Sequence, residues 1–174
     1  NYSRFILSNR NIYLLGERGS GKSMMLIYNS FRLNSRRDLM NEEPIDFKFI
    51  GVHVPCKRPF FKKQECELLG DDAQSILLSE HYLVLVILYS VASELEGQES
   101  VSEELKCNDF YSDFEYLVGE SLPNKDNIFS ALKMFSQRQI NLIESSSRPI
   151  QELLSEVTIH SFQSLVIPVL ELLK

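Results

Sequence analysis

The sequence has few of the residues that build disulfide frameworks and metal sites. It contains three cysteines and three histidines in 174 residues. No two cysteines form a C-x-x-C pair, and the histidines are scattered, so neither a disulfide framework nor zinc-ligand spacing is present. This cysteine usage is typical of a reduced compartment, and we expect a cytoplasmic protein.

Long hydrophobic runs and an excess of positive charge are also missing. The longest apolar run covers residues 82–92 and includes one serine. It is too short to cross a bilayer, so we expect no membrane insertion. The formal net charge of −6 argues against a domain built mainly to hold nucleic acid. One basic segment with interleaved aromatics, Lys57–Lys63, leaves nucleic acid open as a partner, although a solvated loop is the favoured interpretation.

Glycine is sparse, with seven in the chain, yet three of the seven fall within six positions. The segment reads Gly16-Glu17-Arg18-Gly19-Ser20-Gly21-Lys22-Ser23 and matches G-x-x-x-x-G-K-[ST], the phosphate-binding P-loop. A loop that wraps around a phosphate needs backbone conformations and close approaches that a Cβ forbids. The lysine would then reach the β- and γ-phosphates of a nucleotide, and the serine hydroxyl would bind Mg²⁺.

The flanks of this motif predict an α/β fold. Asn11–Leu15 is a short apolar run typical of a strand, and the residues after Ser23 keep helical spacing. Phe47–Val54 reads as a second strand that ends at Pro55. This order predicts the parallel sheet of a P-loop NTPase, flanked by helices. Only two strands can be defended, so the sheet is expected to be incomplete and the rest of the chain rich in helix.

The remainder of the chain is expected to be mostly helical. Ser79 would cap a helix over Tyr82–Glu96 that ends at Gly97, although a buried strand is an alternative there. Residues 97–108 are polar and predict a loop. We expect one domain over 1–174, with a P-loop βαβ start at 1–55 and a helical portion or insertion at 56–174. Further helical stretches are predicted over Phe110–Val118, Asn127–Glu144 and Ile150–Val157, and over Phe162–Leu173 with an interruption at Pro168.

The acidic residue that hydrolysis requires is not evident. Such an acid follows an apolar strand and positions Mg²⁺ or the attacking water. Glu80 and Glu171 follow apolar runs, but neither run is convincing as a central strand. The chain is therefore either the front part of a longer ATPase domain or a domain that binds nucleotide without hydrolysing it. The run 124–127 resembles a guanine clamp with its aspartate one position early, so adenine is the expected base.

The segment from Ile12 to Val54 resembles the start of AAA+ and STAND-type P-loop ATPases, especially bacterial proteins related to the origin-recognition family. The resemblance implies ATP and Mg²⁺ as cofactors, with Lys22 at the β- and γ-phosphates and Ser23 at the metal. It also places Tyr2–Leu7 where such proteins contact adenine. Members commonly work as oligomeric switches, many in DNA transactions and many in bacterial antiviral defence, so a second copy or another protein is an expected partner.

Three functions are compatible with these observations. The leading one is an ATP-binding switch or motor domain that hydrolyses ATP in the complete protein. A small-molecule kinase is the second, with Arg32, Arg36 and Arg37 available for an acceptor. A nucleotide-dependent interaction module without hydrolysis is the third. In the leading interpretation Lys22 is catalytic, Ser23 binds the metal, and the nucleotide-binding residues are Gly16, Glu17, Arg18, Gly19, Ser20, Gly21, Lys22, Ser23 and Met24.

Overall fold

The structure is a computed structural model that describes residues 12–31, 33, 51–54, 72–96, 108–119, 121–122, 127–145 and 150–171. The chain divides into two compact units, Asn1–His53 and Val54–Lys174. Several predictions fall outside the described residues. These are the adenine contact at Tyr2–Leu7, the three arginines from Arg32 to Arg37, the basic segment Lys57–Lys63 and the loop over 97–107.

The first unit contains the short helix α1 (Lys22–Tyr28). The helix is followed by its C-cap residue Asn29, whose side-chain amide donates a hydrogen bond to the carbonyl oxygen of Met25 at 2.7 Å. Shortly afterwards the backbone N–H of Phe31 donates to the carbonyl oxygen of Gly51 at 2.7 Å. A Cβ on Gly51 would collide with the carbonyl oxygen of Asn29, so a glycine is required for this close approach.

The two predicted strands are not formed in the parts that the structure describes. Residues 12–17 and 51–54 have no regular secondary structure. A strand needs a neighbour to pair with its N–H and C=O groups, and no strand occurs within the described ranges. The predictions for Asn11–Leu15 and Phe47–Val54 therefore fail over residues 12–15 and 51–54, and the parallel α/β sheet stays a prediction.

The second unit is helical in its described parts. Its described elements are α2 (Asp72–Leu95), α3 (Asn108–Val118), α4 (Ile128–Ser145), α5 (Ile150–Glu156) and a π-helical segment (Phe162–Val166) that runs into α6 (Ile167–Glu171). The predicted helices are confirmed with shifted ends. The largest shift is in α2, which begins at Asp72. Ser79 is therefore not its cap but an interior residue, and its hydroxyl donates to the carbonyl oxygen of Ser75 at 2.6 Å.

The helices α2 and α4 pack together in antiparallel directions, and the core of this unit lies along their contact. Near the middle of α2, the Tyr82 hydroxyl donates to the Glu144 carboxylate at 2.5 Å, and just past the end of the helix Glu96 forms an ion pair with Lys133. Because these partners run in opposite order along the two helices, they fix the antiparallel arrangement. The buried apolar side chains of the two helices include Leu78, Leu85, Leu88, Ala92, Leu95, Phe129, Leu132, Phe135 and Ile143.

The helix predicted over Phe162–Leu173 does not stop at Pro168, but the turn before the proline is wider than an α-helical turn. The backbone N–H of Ile167 donates to the carbonyl oxygen of Phe162, five residues back, which makes this turn π-helical. Pro168 has no N–H to donate to the previous turn. Ser161 and Ser164 cap the start of the segment reciprocally. The predicted interruption is therefore a wide turn, after which α6 continues through Pro168 to Glu171.

The helix α2 is longer than the apolar run by which it was predicted. Within the described parts of the chain, its segment Ala73–Leu95 is the one helix long and apolar enough to cross a membrane, with a mean hydropathy of 1.7 over its most apolar 18 residues. A core helix of a globular protein passes the same test, and α2 packs on α4. The run that was considered too short thus belongs to a helix of sufficient length, and the absence of membrane insertion stays a prediction.

Candidate phosphate-binding site

The glycine motif forms an exposed loop that leads directly into α1. Gly19 has φ +90° and Gly21 has φ +81°. Both values lie in the left-handed region, where an L side chain is strained, so these two positions require glycine. Within the same loop, the backbone N–H of Ser20 donates to the carbonyl oxygen of Glu17 at 3.2 Å and closes a turn.

The side chain of Lys22 folds back onto this loop. Its Nζ donates to the carbonyl oxygens of Gly16 at 2.6 Å and Glu17 at 2.8 Å. It also donates to the Ser20 hydroxyl at 3.0 Å. An ammonium group has three N–H donors, and all three are therefore used within the loop. The loop holds a positive charge above its own backbone.

Gly16 leaves the space in which this arrangement fits. A Cβ at that position would lie 2.8 Å from the Ser20 Oγ and 3.7 Å from the Lys22 Nζ. The first distance is shorter than any ordinary contact of a Cβ, so an alanine would displace the hydroxyl. The first glycine of the motif therefore leaves room for the Ser20 hydroxyl in this position, whereas Gly19 and Gly21 are required by their own backbone conformations.

The residues after Lys22 occupy the first turn of α1. Ser23 is exposed, and Met24 has 70% of its surface exposed. Gly21 precedes the helix without a side-chain cap. The structure thus brings Gly16, Glu17, Ser20 and Lys22 into contact. Arg18, Gly19 and Gly21 complete the exposed loop.

Both candidate acids lie on helices. Glu80 is an exposed residue inside α2, and Glu171 is an exposed residue of α6. Neither follows a strand, so neither matches the position that a hydrolytic acid occupies in a P-loop ATPase. Among the described residues, no group of three or more His, Cys, Asp or Glu side chains could hold a metal ion.

A buried histidine pair in the second unit was not predicted from the sequence. The backbone N–H of His160 donates to His81 Nδ1 at 3.1 Å, and the two ring centroids are 5.7 Å apart. Burial and the neighbouring His160 lower the pKa of His81 to about 4. Burial also lowers the pKa of His160. Both rings are therefore neutral at pH 7, and the pair connects α2 to the start of the π-helical segment.

A glycine loop that ends in Lys-Ser and opens a helix is the phosphate-binding arrangement of P-loop proteins. The protein-family model described as ORC-CDC6-like matches residues 1–174. The chain belongs to the ORC-CDC6-like family, a family of the AAA+ ATPase type. The resemblance to origin-recognition-like ATPases is therefore confirmed over the whole sequence. No curated protein and no solved structure matches the chain.

Proposed function

We propose that this chain binds ATP with Mg²⁺ and acts as a switch or motor domain that hydrolyses ATP in the complete protein. The observation that carries the proposal is the Lys22 ammonium group, held at 2.6–3.0 Å from three oxygens of the glycine loop. Family membership gives independent support, because the ORC-CDC6-like family is of the AAA+ ATPase type.

The residues of the loop would each have a distinct part in binding. Its backbone N–H groups surround the phosphates, and Lys22 neutralises charge on the β- and γ-phosphates. The exposed hydroxyl of Ser23 is the metal ligand that the described residues offer, and Mg²⁺ would neutralise charge on the phosphate oxygens. Loss of the γ-phosphate would then change a contact with a second copy or another protein, as a switch in DNA transactions or antiviral defence requires.

The test is a direct titration of ATP against the intact protein and its Lys22→Ala variant. We expect the variant to bind ATP at least about a hundredfold more weakly, because charge-assisted hydrogen bonds to the phosphates are lost. Lys133→Ala is the matched control. It removes a lysine that pairs with Glu96 in the helical unit, and it should keep the affinity of the original protein. Equal affinity of the original protein and Lys22→Ala would refute the proposal.

A nucleotide-dependent interaction module without hydrolysis is the second candidate. It is favoured by the position of Glu80 and Glu171 on helices and not after a strand. Phosphate release by the intact protein distinguishes the two. Release that stops in Lys22→Ala supports the ATPase, whereas ATP binding without release, with and without partner proteins, supports the module.

A further inference from the structure

The side chain of Ser20 has no assigned part in the binding just proposed, yet it contacts the group on which that binding depends. Its hydroxyl accepts a hydrogen bond from Lys22 Nζ at 3.0 Å. The two other acceptors, at Gly16 and Glu17, are backbone carbonyls. Among the described residues, Ser20 therefore makes the one contact to this ammonium group that depends on the identity of a side chain.

We propose that Ser20 is a positioning residue that holds the Lys22 ammonium group over the loop in readiness for the β- and γ-phosphates, and that Gly16 leaves the room in which its hydroxyl makes this contact. This inference rests on the proposed function. A lysine side chain has four rotatable carbon–carbon bonds and loses much conformational freedom when it is fixed. A loop that already fixes the ammonium group reduces the loss that accompanies nucleotide binding.

Gly16 is part of the proposal because the Ser20 hydroxyl occupies the space beside it. A Cβ there would lie 2.8 Å from Ser20 Oγ but 3.5 Å from Ser20 Cβ. The first distance forces the hydroxyl to move, whereas the second is an ordinary van der Waals contact. Gly16→Ala should therefore disturb Lys22 through Ser20, and it should have little effect when Ser20 has no hydroxyl. Gly16 has no left-handed φ, so its backbone accepts an alanine.

The experiment measures the affinities of the intact protein for ATP, ADP and AMP, with AMP tested as a competitor of a fluorescent ADP analogue. We expect Ser20→Ala to weaken ATP and ADP binding about fivefold, the usual net effect of one hydrogen bond. AMP has only the α-phosphate, which the loop backbone holds and Lys22 does not reach. Its affinity should change less than about twofold. Equal weakening of all three nucleotides would overturn the proposal, because Ser20 would then shape the loop and not position the lysine.

A double-mutant cycle tests the link to Gly16. Gly16→Ala should weaken ATP binding about as much as Ser20→Ala, and the double variant should be no weaker than either single one. Additive losses would show that the two residues act separately, and tighter ATP binding by Ser20→Ala would show that the hydroxyl competes with phosphate. Either result overturns the proposal.

Two comparisons separate this inference from the function on which it rests. Unchanged ATP affinity in Lys22→Ala refutes nucleotide binding through the loop. A large loss in Lys22→Ala together with original affinity in Ser20→Ala refutes the positioning role alone. Ser155→Ala removes an exposed hydroxyl that donates to the carbonyl oxygen of Glu152 in the helical unit. It should bind all three nucleotides as the original protein does.

Discussion

The two units of the chain use their apolar side chains in opposite ways. In the helical unit, Leu85 and Leu88 of α2 are 0% exposed. In the unit that carries the glycine loop, Tyr13 is 89% exposed and Leu15 is 94% exposed. Burial of a leucine side chain stabilises a fold by about 1.5–3 kcal/mol. The helical unit therefore takes its stability from packing, whereas the described part of the loop unit gains little from these residues.

The conformation of the loop unit depends mainly on its backbone. Gly19 and Gly21 adopt left-handed conformations, and Gly51 allows the chain to pass the carbonyl oxygen of Asn29. The contacts of Lys22 are likewise mostly with carbonyl oxygens. From this difference we expect substitutions of buried residues in the helical unit to change stability, and substitutions in the loop to change the proposed nucleotide binding.

The largest expected effect on stability is at Phe135 of α4. This side chain is 2% exposed and meets the ring of Phe114 edge-on, with centroids 5.9 Å apart. Phe135→Ala should lower the free energy of unfolding by about 3–5 kcal/mol, because it leaves a cavity in the core. Urea denaturation followed by circular dichroism measures the change.

Tyr116 of α3 provides the matched aromatic control. It is 91% exposed, so Tyr116→Ala should change the free energy of unfolding by no more than about 0.5 kcal/mol. Similar losses in the two variants would contradict the assignment of Phe135 to the core of the helical unit.

A smaller effect, and one that depends on pH, is expected at His81. This residue is 1% exposed, and the structure lowers its pKa from 6.5 to about 4. The folded state therefore binds fewer protons than the unfolded state between these values. The contribution of His81 is complete above pH 6.5 and decreases as the pH falls towards 4. The loss between pH 7.5 and 4.5 should be about 2–3 kcal/mol.

His81→Asn isolates this contribution from those of the carboxylates. An asparagine can still accept the hydrogen bond from the N–H of His160, but it does not titrate. Urea denaturation at several pH values should show a shallower decline in acid for the variant than for the original protein. Identical declines would mean that the buried histidine does not couple folding to pH.

The helices were predictable because their signals are local. Asn127–Glu144 was expected as a helix from its apolar spacing, and the structure has α4 over Ile128–Ser145. The start of α2 was predicted wrongly because Ser79 resembles a cap, whereas its hydroxyl bonds to the carbonyl of the preceding turn. Local sequence does not reveal whether a serine begins a helix or lies inside one.

The contacts between distant residues could not be predicted in this way. Tyr82 and Glu144 are 62 positions apart, and the hydrogen bond between His160 and His81 joins residues 79 positions apart. Burial and the hydrogen bond to Glu144 raise the pKa of Tyr82 to about 12.

In the loop, the motif identified Lys22 and the glycines. It did not reveal that the Ser20 hydroxyl accepts from Lys22, because that contact depends on loop geometry.

The smallest expected effect on stability concerns the residues that precede α4 and α1 at their N-terminal ends. Asn127 Oδ1 accepts from the N–H groups of Phe129 at 2.9 Å and Ser130 at 3.1 Å, and so caps α4. Gly21 gives α1 no such side-chain cap. Asn127→Ala should lower the free energy of unfolding by about 1 kcal/mol, because two N–H groups lose their acceptor.

Two variants of the same helix sharpen this last comparison. Asn127→Asp keeps the accepting oxygen and should stay close to the original stability. Asn141→Ala makes the same change as Asn127→Ala at an exposed position inside α4. There it removes only an exposed contact with Gln137, and alanine favours the helix, so we expect little change or a slight gain. Thermal unfolding of the three variants should therefore place Asn127→Ala alone below the original protein. An equal loss in Asn141→Ala would mean that the loss in Asn127→Ala does not come from the missing cap. The cap would then not be a stabilising difference between α4 and α1.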